Sequence, residues 1–266
     1  MKKTGIVGMM VLCLVAQGLS TEITVNRLDT YLELPEQETK RLREEFKDKK
    51  KLRECFEQGG LLSIRSAEPE KMMKIKQKFG VSDRAMQEVL MDIIHESSAK
   101  SGWKSHHDQG GSHDIYVANW FLHAAIIWLG VCADTEAKQF LMGIAADNTT
   151  DYYFRSRAID AYMCRADAQE VQNVFARFLA DDAGQTLRLF DIYCAAIRAY
   201  DVAKDDTSKR EALVAAMSIT LAKENNKDTF AYMDKFLAER SKAYADSPQR
   251  KAALERLNIP AEKGEQ

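Results

Sequence analysis

Residues 151–180, DYYFRSRAIDAYMCRADAQEVQNVFARFLA, decide the fold class of this chain. Two apolar stretches are separated by a short polar turn, in which Asp167 can accept backbone N–H groups as the N-cap of a second helix. Glycine is sparse after Gly143, and only four prolines occur in the whole sequence. Long stretches without these breakers favour helices over short strands and turns. The stretch therefore predicts a helical hairpin, with helices near 151–164 and 167–180.

The same hairpin pattern recurs along the C-terminal part of the chain. Residues 158–162 (AIDAY) return as residues 196–200 (AIRAY), and residues 125–129 (AIIWL) fit the same positions upstream. A single hairpin cannot bury its own apolar face, so neighbouring hairpins must stack. We expect small residues where adjacent helices approach closely, at Ala125, Ala158 and Ala196. The further predicted helix pairs are 115–131 with 134–146, 186–201 with 207–224, and 228–244 with 247–257.

Two of these units resemble the HEAT-repeat signature, in which an Asp is followed by an Arg and then by an Ala. The signature residues are Asp151 and Arg155 in one unit and Asp246 and Arg250 in the other. The unit that begins near Leu187 lacks both signature residues. The resemblance covers about residues 115–258 and implies a right-handed α-solenoid, in which these four side chains link successive hairpins. A tetratricopeptide or armadillo-type array and a non-repeating helical bundle remain alternatives.

The N-terminal residues 1–20 have the layout of a secretory signal peptide. Lys2 and Lys3 precede an apolar run from Gly5 to Val15, which is followed by small residues. We therefore expect an exported protein, periplasmic or secreted, although the cleavage site is ambiguous. The remaining chain divides into an N-terminal helical region at 21–113 ending in a His/Gly/Ser-rich loop, the HEAT-like repeats at 114–258, and a charged tail at 259–266.

In the N-terminal region, apolar spacing predicts helices over 36–58, 69–79 and from Ser82 to about residue 97. The most hydrophobic stretch, 115–133, is almost long enough to cross a bilayer. Asn119 and His123 lie in its middle, however, and no basic residues flank it. We therefore expect a buried central helix and no integral membrane span after removal of the signal.

Composition and motifs exclude several functional classes. Without Lys2 and Lys3 the chain has 36 basic and 40 acidic residues, a net charge of −4, so nucleic acid is not an expected partner. No GxSxG motif and no glycine-rich phosphate loop occurs. We accordingly predict no enzyme activity, no catalytic or cofactor-binding residues and no cofactor. Four cysteines follow the signal, and we expect them to be buried thiols, with disulfides as the alternative: Cys55, Cys132, Cys164 and Cys194.

A histidine-rich segment offers the only metal-binding pattern in the sequence. Imidazole and carboxylate groups suit zinc or another first-row metal. The spacing of these residues matches no known ligand motif, so an exposed loop is the simpler interpretation. A metal-binding or hydrolytic helical protein is the corresponding alternative function. The candidate ligands are His95, His106, His107, Asp108 and His113.

The predicted function is non-catalytic binding of an exported or envelope protein or peptide, because stacked hairpins form an extended surface. The second helices of the hairpins would line it, with amides and cations suited to an extended backbone or an acidic peptide. These residues could equally form the solvated face of amphipathic helices, and a structural envelope protein is a further alternative. The candidate partner-binding residues are Lys138, Gln169, Asn173, Arg177, Lys209 and Arg210.

Overall fold

A computed structural model describes residues 27–57, 61–63, 68–104, 113–179 and 189–260 of the chain. Over these ranges the protein is all-α, as predicted: fourteen α-helices and one 3-10 turn occur, and none of the described residues is in a β-strand. The residues form two compact units. Unit 1 ends at Arg165 and unit 2 begins at Ala166, so this boundary falls inside the region predicted as repeats.

Unit 1 contains eight helices within its described ranges, together with the 3-10 turn Leu61–Ser63. They are α1 (Arg27–Glu33), α2 (Glu36–Glu45), α3 (Lys49–Glu57), α4 (Pro69–Phe79), α5 (Asp83–Ser101), α6 (His113–Cys132), α7 (Thr135–Ala146) and α8 (Tyr152–Arg165). Unit 2 contains six in the residues described: α9 (Ala168–Leu179), α10 (Leu189–Val202), α11 (Thr207–Leu221), α12 (Lys227–Arg240), α13 (Lys242–Ala245) and α14 (Pro248–Arg256).

Side-chain caps set several helix starts at the positions that the sequence indicates. Ser82 Oγ accepts the backbone N–H of Ala85 at 3.2 Å, and Asp134 Oδ1 accepts that of Ala137 at 3.0 Å. Asp48 Oδ1 likewise accepts the N–H of Lys50 at 2.8 Å. This additional cap explains why the helix predicted over 36–58 is two helices, α2 and α3, since a capping side chain begins a new helix.

A cap also divides the helix predicted over 228–244. Ser241 Oγ accepts the backbone N–H of Tyr244 at 3.2 Å, which ends α12 at Arg240 and starts α13. At the end of α5, Gly102 adopts φ = +60°, a left-handed conformation that glycine reaches without a Cβ clash. The helix predicted to end near residue 97 therefore continues to Ser101.

The core of unit 1 surrounds α6. This helix packs against α5 and α8, while α7 packs mainly on α8 rather than on α6, its predicted hairpin partner. Trp128 of α6 is completely buried, and its indole Nε1–H donates to the Leu61 carbonyl at 3.1 Å. Its ring meets Phe56 of α3 edge-to-face, with 5.3 Å between centroids. The most apolar helix of the chain is thus the centre of a packed unit.

The crossing of α6 and α8 has no room for a side chain at Gly130. A Cβ built on Gly130 would lie 2.5 Å from Ala161 Cα and 2.8 Å from Ala161 Cβ, closer than atoms pack. The three predicted small positions are also completely buried: Ala125, Ala158 and Ala196. Gly130 and Ala161 form a further close contact between these helices, which the repeat pattern did not single out.

Both arginines of the HEAT-like signature contact the end of a preceding helix. Arg155 is buried, and its Nε donates to the Ala145 carbonyl in the last turn of α7 at 3.0 Å. Arg250 Nη1 donates to the Ala245 carbonyl, the last residue of α13, at 3.2 Å. Such contacts satisfy helix carbonyls that have no partner within their own helix. The two arginines are therefore structural residues of their units.

Unit 2 is built on α11, which packs against α9, α10 and α12. A buried polar cluster holds the C-terminal helices to α12. Asp234 of α12 is 7% exposed; its Oδ1 accepts from Tyr244 Oη at 2.8 Å, and its two oxygens accept from Arg250 Nε and Nη2 at 2.7 and 2.9 Å. Arg250 thus pairs with Asp234, which lies outside the signature.

Among the helices that the structure describes, none combines the length and the apolar character needed to cross a bilayer.

Candidate functional site

A groove with a volume of about 860 Å³ lies in unit 2, between α11 and the segment from the end of α12 to the start of α14. This volume is within the range of ligand-binding clefts. From α11 it is lined by Thr207, Arg210, Glu211, Val214, Ala215, Ser218 and Ile219. The other lining residues are Tyr200 of α10 and Arg240, Ser241, Ala243, Tyr244, Ser247 and Gln249.

Helical spacing explains why α11 forms one side of the groove. The lining positions recur at intervals of three and four residues and together cover about half of the circumference of the helix, with Arg210 and Ile219 at the two edges of this arc. The opposite face is buried in unit 2 and includes Leu213, Ala216 and Thr220. One helix therefore contributes both to the core and to the groove.

Arg210 places a positive charge in the groove. Its guanidinium carbon lies 4.2 Å from the centroid of the Tyr200 ring, a distance at which cation and π-system attract. Nη1 makes one long hydrogen bond, 3.4 Å, to the Lys204 carbonyl, and the buried Nε has no hydrogen-bond partner. No acidic side chain among the described residues forms an ion pair with Arg210. The guanidinium is thus stacked on Tyr200, and the described part of the chain supplies no counter-ion for it.

Arg240 approaches the same aromatic pair from α12. Its guanidinium carbon lies 3.9 Å from the Phe236 centroid and 6.0 Å from that of Tyr200. The two rings contact each other edge-to-face at 5.7 Å. Arg240 also forms a 3.4 Å ion pair with its neighbour Glu239. The polar end of the groove, formed by Arg210, Tyr200 and Arg240, therefore carries two cations, of which Arg240 is partly neutralised.

The other end of the groove is apolar. Ile219 is 63% exposed, which is unusual for a large aliphatic side chain, and Ala215 is also exposed one turn earlier. The lining also includes Tyr244, which the hydrogen bond to Asp234 fixes. Burial first, and then the hydrogen bond to Asp234, raise the pKa of Tyr244, so the phenol stays protonated and donates. A cationic end and an apolar end thus lie along one helix.

The structure places only one of the predicted partner-binding residues, Arg210, in this groove. Lys209 is buried, at 6% exposure, because it lies on the core face of α11. Lys138 lies on α7 in unit 1 and is half-buried. The remaining three residues are exposed on α9 and do not line the groove: Gln169, Asn173 and Arg177. Gln169 Nε2 donates a hydrogen bond to Asn173 Oδ1 at 3.1 Å.

Sequence reasoning missed Tyr200, Arg240 and Ile219. Tyr200 ends the repeated AIRAY motif and was interpreted only as a repeat position. Arg240 reaches the groove because α12 ends there, which depends on the cap at Ser241. The one available signal was Ile219, an aliphatic residue on the polar face of α11 at helical spacing from Ala215.

The predicted metal candidates are not assembled in the described part of the chain. His106, His107 and Asp108 lie outside the described residues, and so does the side chain of His113. His95 is exposed on α5, with its ring 5.4 Å from that of Phe140. Within the described ranges, no group of three or more His, Cys, Asp or Glu residues could hold a metal ion.

The four cysteines within the described residues are all thiols: Cys55, Cys132, Cys164 and Cys194. Cys55 and Cys132 are buried, as expected for small apolar residues, whereas Cys164 and Cys194 are half-buried. Burial raises the pKa of Cys55 to about 11 and that of Cys132 to about 12. Because the thiolate is the nucleophile, neither of these two buried side chains is suited to covalent catalysis.

Unit 1 contains a second polar feature, on the buried face of α6. Asn119 and His123 are each 6% exposed, and the Asn119 amide and His123 Nε2 have no hydrogen-bond partner in the described structure. The imidazole stacks on Tyr153 with 4.8 Å between centroids. Burial, and to a lesser extent the charge of Arg157, lower the pKa of His123 to about 4. The imidazole is therefore neutral near pH 7.

Comparison with protein-family models, curated proteins and solved structures gave no match for this chain. The functional argument therefore rests on the groove itself.

Proposed function

We propose that this protein is a non-catalytic binding scaffold that holds an extended peptide segment of a partner protein in the groove of unit 2. The observation that carries the proposal is the guanidinium of Arg210, which lies over the Tyr200 ring and forms no ion pair with any residue that the structure describes. Keeping a cation in place without an anion is unfavourable in the free protein, since a partly buried charge loses hydration. A bound carboxylate would compensate it.

The dimensions of the groove favour a peptide over a compact small molecule. Its lining runs along α11 from Thr207 to Ile219, a separation of twelve positions, or about 18 Å at a rise of 1.5 Å per position. A strand-like peptide advances about 3.3 Å per residue, so five or six residues fit along it. Exposed hydroxyl and amide side chains at its edges, such as Gln249, can bond to a peptide backbone.

The wider architecture that we propose is a right-handed α-solenoid of HEAT-like hairpins over residues 114–258. The contacts of Arg155 and Arg250 with the ends of preceding helices support it, since both arginines occupy the same position in the signature. The close packing of α9 on α11 is also what stacked second helices would give. Export, proposed from residues 1–20, would direct the search for partners to exported and envelope proteins.

A peptide-display selection tests the binding proposal. A random library of nine-residue peptides is selected on the wild-type protein, and enriched peptides are measured again on two variants. Ala215→Trp fills the middle of the groove, whereas Ala176→Trp adds the same ring at an exposed position of α9 outside it. We expect binding to be lost with Ala215→Trp and kept with Ala176→Trp. Absence of enrichment, or equal binding by both variants, would overturn the proposal.

A further inference from the structure

We infer that residues 261–266 of this chain occupy the groove of unit 2 when no partner is bound, with Glu265 paired to Arg210. These residues, which we call the tail, follow Pro260, where the described part of the chain ends. The inference adds a regulatory contact to the proposed function, on which its consequence for partner binding rests. It follows from where α14 ends, from the length of the tail and from the charges of the tail and the groove.

Helix α14 extends from the groove to the C-terminal end of α11. Ser247, the N-cap of α14, belongs to the groove lining. At the other end of α14, Arg256 Nη2 donates to the carbonyls of Ala222 at 3.0 Å and Glu224 at 2.7 Å. Ala222 is the C-cap of α11. The chain therefore leaves α14 beside the end of α11.

The last turn of α14 directs the chain away from the axis of that helix. Asn258 adopts φ = +51°, and its N–H donates to the Glu255 carbonyl at 3.1 Å. The next N–H, of Ile259, donates to the Leu254 carbonyl at 3.0 Å. These two bonds define a Schellman motif, in which a left-handed residue ends the helix. The tail can therefore run back along α11 instead of continuing beyond it.

The tail is long enough to bring Glu265, but not Glu262, to Arg210. Along the axis of α11, Ala222 and Arg210 are twelve positions apart, or about 18 Å. Residues 260–265 span about 20 Å when extended, whereas residues 260–262 span about 10 Å. Glu265 is therefore the acidic residue of the tail that we assign to Arg210.

The charges of the tail and of the groove are complementary. The tail has two acidic side chains and one basic side chain, and the described groove lining has two basic side chains and one acidic side chain. Arg210 makes only the long hydrogen bond to the Lys204 carbonyl, and a planar guanidinium pairs with a carboxylate through two parallel hydrogen bonds. Because the tail belongs to the same unit as the groove, its effective concentration there is high. A contact that is weak between separate molecules is then sufficient.

A docked tail competes with the partner peptide. The partner binds only to the fraction of molecules in which the tail has left the groove, so its apparent affinity is reduced by that fraction. Replacing residues 261–266 with a Gly-Ser sequence of the same length should therefore tighten the binding of displayed peptides by about 3-fold or more.

Trypsin cleavage after Lys263 tests the contact in the whole chain. When docking and release are fast, the cleavage rate follows the population of the open form, here the chains with a free tail. The rate is measured by mass spectrometry as the initial loss of residues 264–266. This measurement requires no partner and does not depend on peptide binding.

Three protein variants leave the sequence around the cleavage site unchanged. Arg210→Ala should raise the cleavage rate by about 3-fold or more, and Ala215→Trp, which fills the groove, should do the same. Arg177→Ala, at an exposed arginine outside the groove, should leave the rate unchanged. Far-UV circular dichroism checks that each variant is folded. Equal rates for the wild type and Arg210→Ala would overturn the inference.

Two substitutions within the tail separate Glu265 from Glu262. Because both lie near the cleavage site, each rate is divided by that of a synthetic peptide of residues 256–266 with the same substitution. We expect Glu265→Gln to remove most of the protection and Glu262→Gln to keep it. Loss of protection with Glu262→Gln alone, or to the same extent with both, would contradict the pairing of Glu265 with Arg210.

Further outcomes separate this inference from the proposed function. Protection that increases with protein concentration would place the tail in the groove of a second copy and overturn the contact within one chain. If displayed peptides depend on an open groove but Arg210→Ala does not change the cleavage rate, the scaffold stands and the tail contact is wrong. If Arg210 protects the tail but no peptide is enriched, the tail contact stands and the proposed function is wrong.

Discussion

The helices at the centres of the two units differ in how much of their circumference is buried. In unit 1, every residue from Leu122 to Ala133 is buried. Most of this segment belongs to α6, so this part of the helix has no exposed face. In unit 2, α11 buries one face and leaves Glu211, Ala215 and Ile219 exposed on the other. A helix that is apolar all round becomes core, whereas an amphipathic helix can also form a surface. The comparison explains why the groove lies in unit 2 although the most hydrophobic helix is in unit 1.

The largest expected loss of stability follows from disrupting the polar cluster of Asp234, Tyr244 and Arg250, which fixes one side of the groove in unit 2. Asp234→Ala leaves Arg250 without its carboxylate in a buried setting, which costs about 3–5 kcal/mol of unfolding free energy. Urea denaturation followed by circular dichroism measures this loss. Asp246→Ala is the control: the carboxylate is exposed and next to the cluster, so we expect a change within about 0.5 kcal/mol. A larger loss for Asp246→Ala would restore the role that the HEAT-like signature assigns to it.

The next largest effect is a dependence of the stability of unit 1 on pH, which we do not expect for unit 2. The pKa of His123 is about 4 in the folded protein, against an ordinary value of about 6.5. As the pH falls, the unfolded chain takes up the proton first. The stabilisation from the neutral imidazole is therefore complete above pH 6.5 and is lost progressively down to pH 4, by up to roughly 3 kcal/mol.

Tryptophan fluorescence in urea detects this dependence selectively, because Trp103, Trp120 and Trp128 all lie in unit 1. His123→Gln removes the titrating group and should flatten the profile between pH 4 and 6.5. His95→Gln, at an exposed histidine of the same unit, should leave the profile unchanged. A wild-type profile that is flat over this interval would show that the imidazole is not held neutral.

A smaller change in stability is expected from a substitution that tests the close contact between α6 and α8. Gly130→Ala places a methyl group against Ala161 and should cost about 1–3 kcal/mol through overpacking. Gly143→Ala is the matched control within unit 1, since its Cβ meets nothing within 4 Å. It should stabilise the protein by about 0.5–1 kcal/mol, because alanine favours helix. If both variants shift the fluorescence transition in the same direction, the contact is looser than described.

The smallest effect concerns an exposed ion pair between α3 and α5. Arg53 Nη1 and Nη2 donate to the two oxygens of Glu96 at 2.8 and 2.6 Å, and the hydrogen bond from Arg53 lowers the pKa of Glu96. Solvent screens such pairs, so Glu96→Gln should cost only about 0.2–1 kcal/mol, and less in 1 M salt. Glu33→Gln, at an exposed residue with no ion pair in the described structure, is the control. A salt-independent loss would point to packing instead of charge.

The helices were largely predictable because caps and apolar spacing are local signals. The capping residues Ser82, Asp134 and Asp206 each start a helix where the sequence indicates. The two helices predicted as continuous were divided by Asp48 and Ser241, whose caps compete with regular apolar spacing. Spacing alone does not reveal which of the two signals prevails.

The groove was much less predictable, because its residues meet only through tertiary packing. Arg210 was identified as a cation on a second helix, but Lys209, its neighbour, was assigned to the same surface although it faces the core. A one-residue error moves a side chain by about 100° around a helix, which exchanges surface for core. Arg240 could not be found without knowing that α12 ends beside Tyr200.

Gly130 also limits how this sequence can change over evolution. Any side chain at position 130 collides with the backbone of Ala161, so no single substitution is accommodated unless α8 moves. A Cβ at position 143 meets nothing within 4 Å, so a side chain can begin there without a clash. In homologues that keep this crossing, the first glycine should persist while the second is replaced freely. Gly130 and Gly143 therefore differ widely in the substitutions that the fold can accommodate.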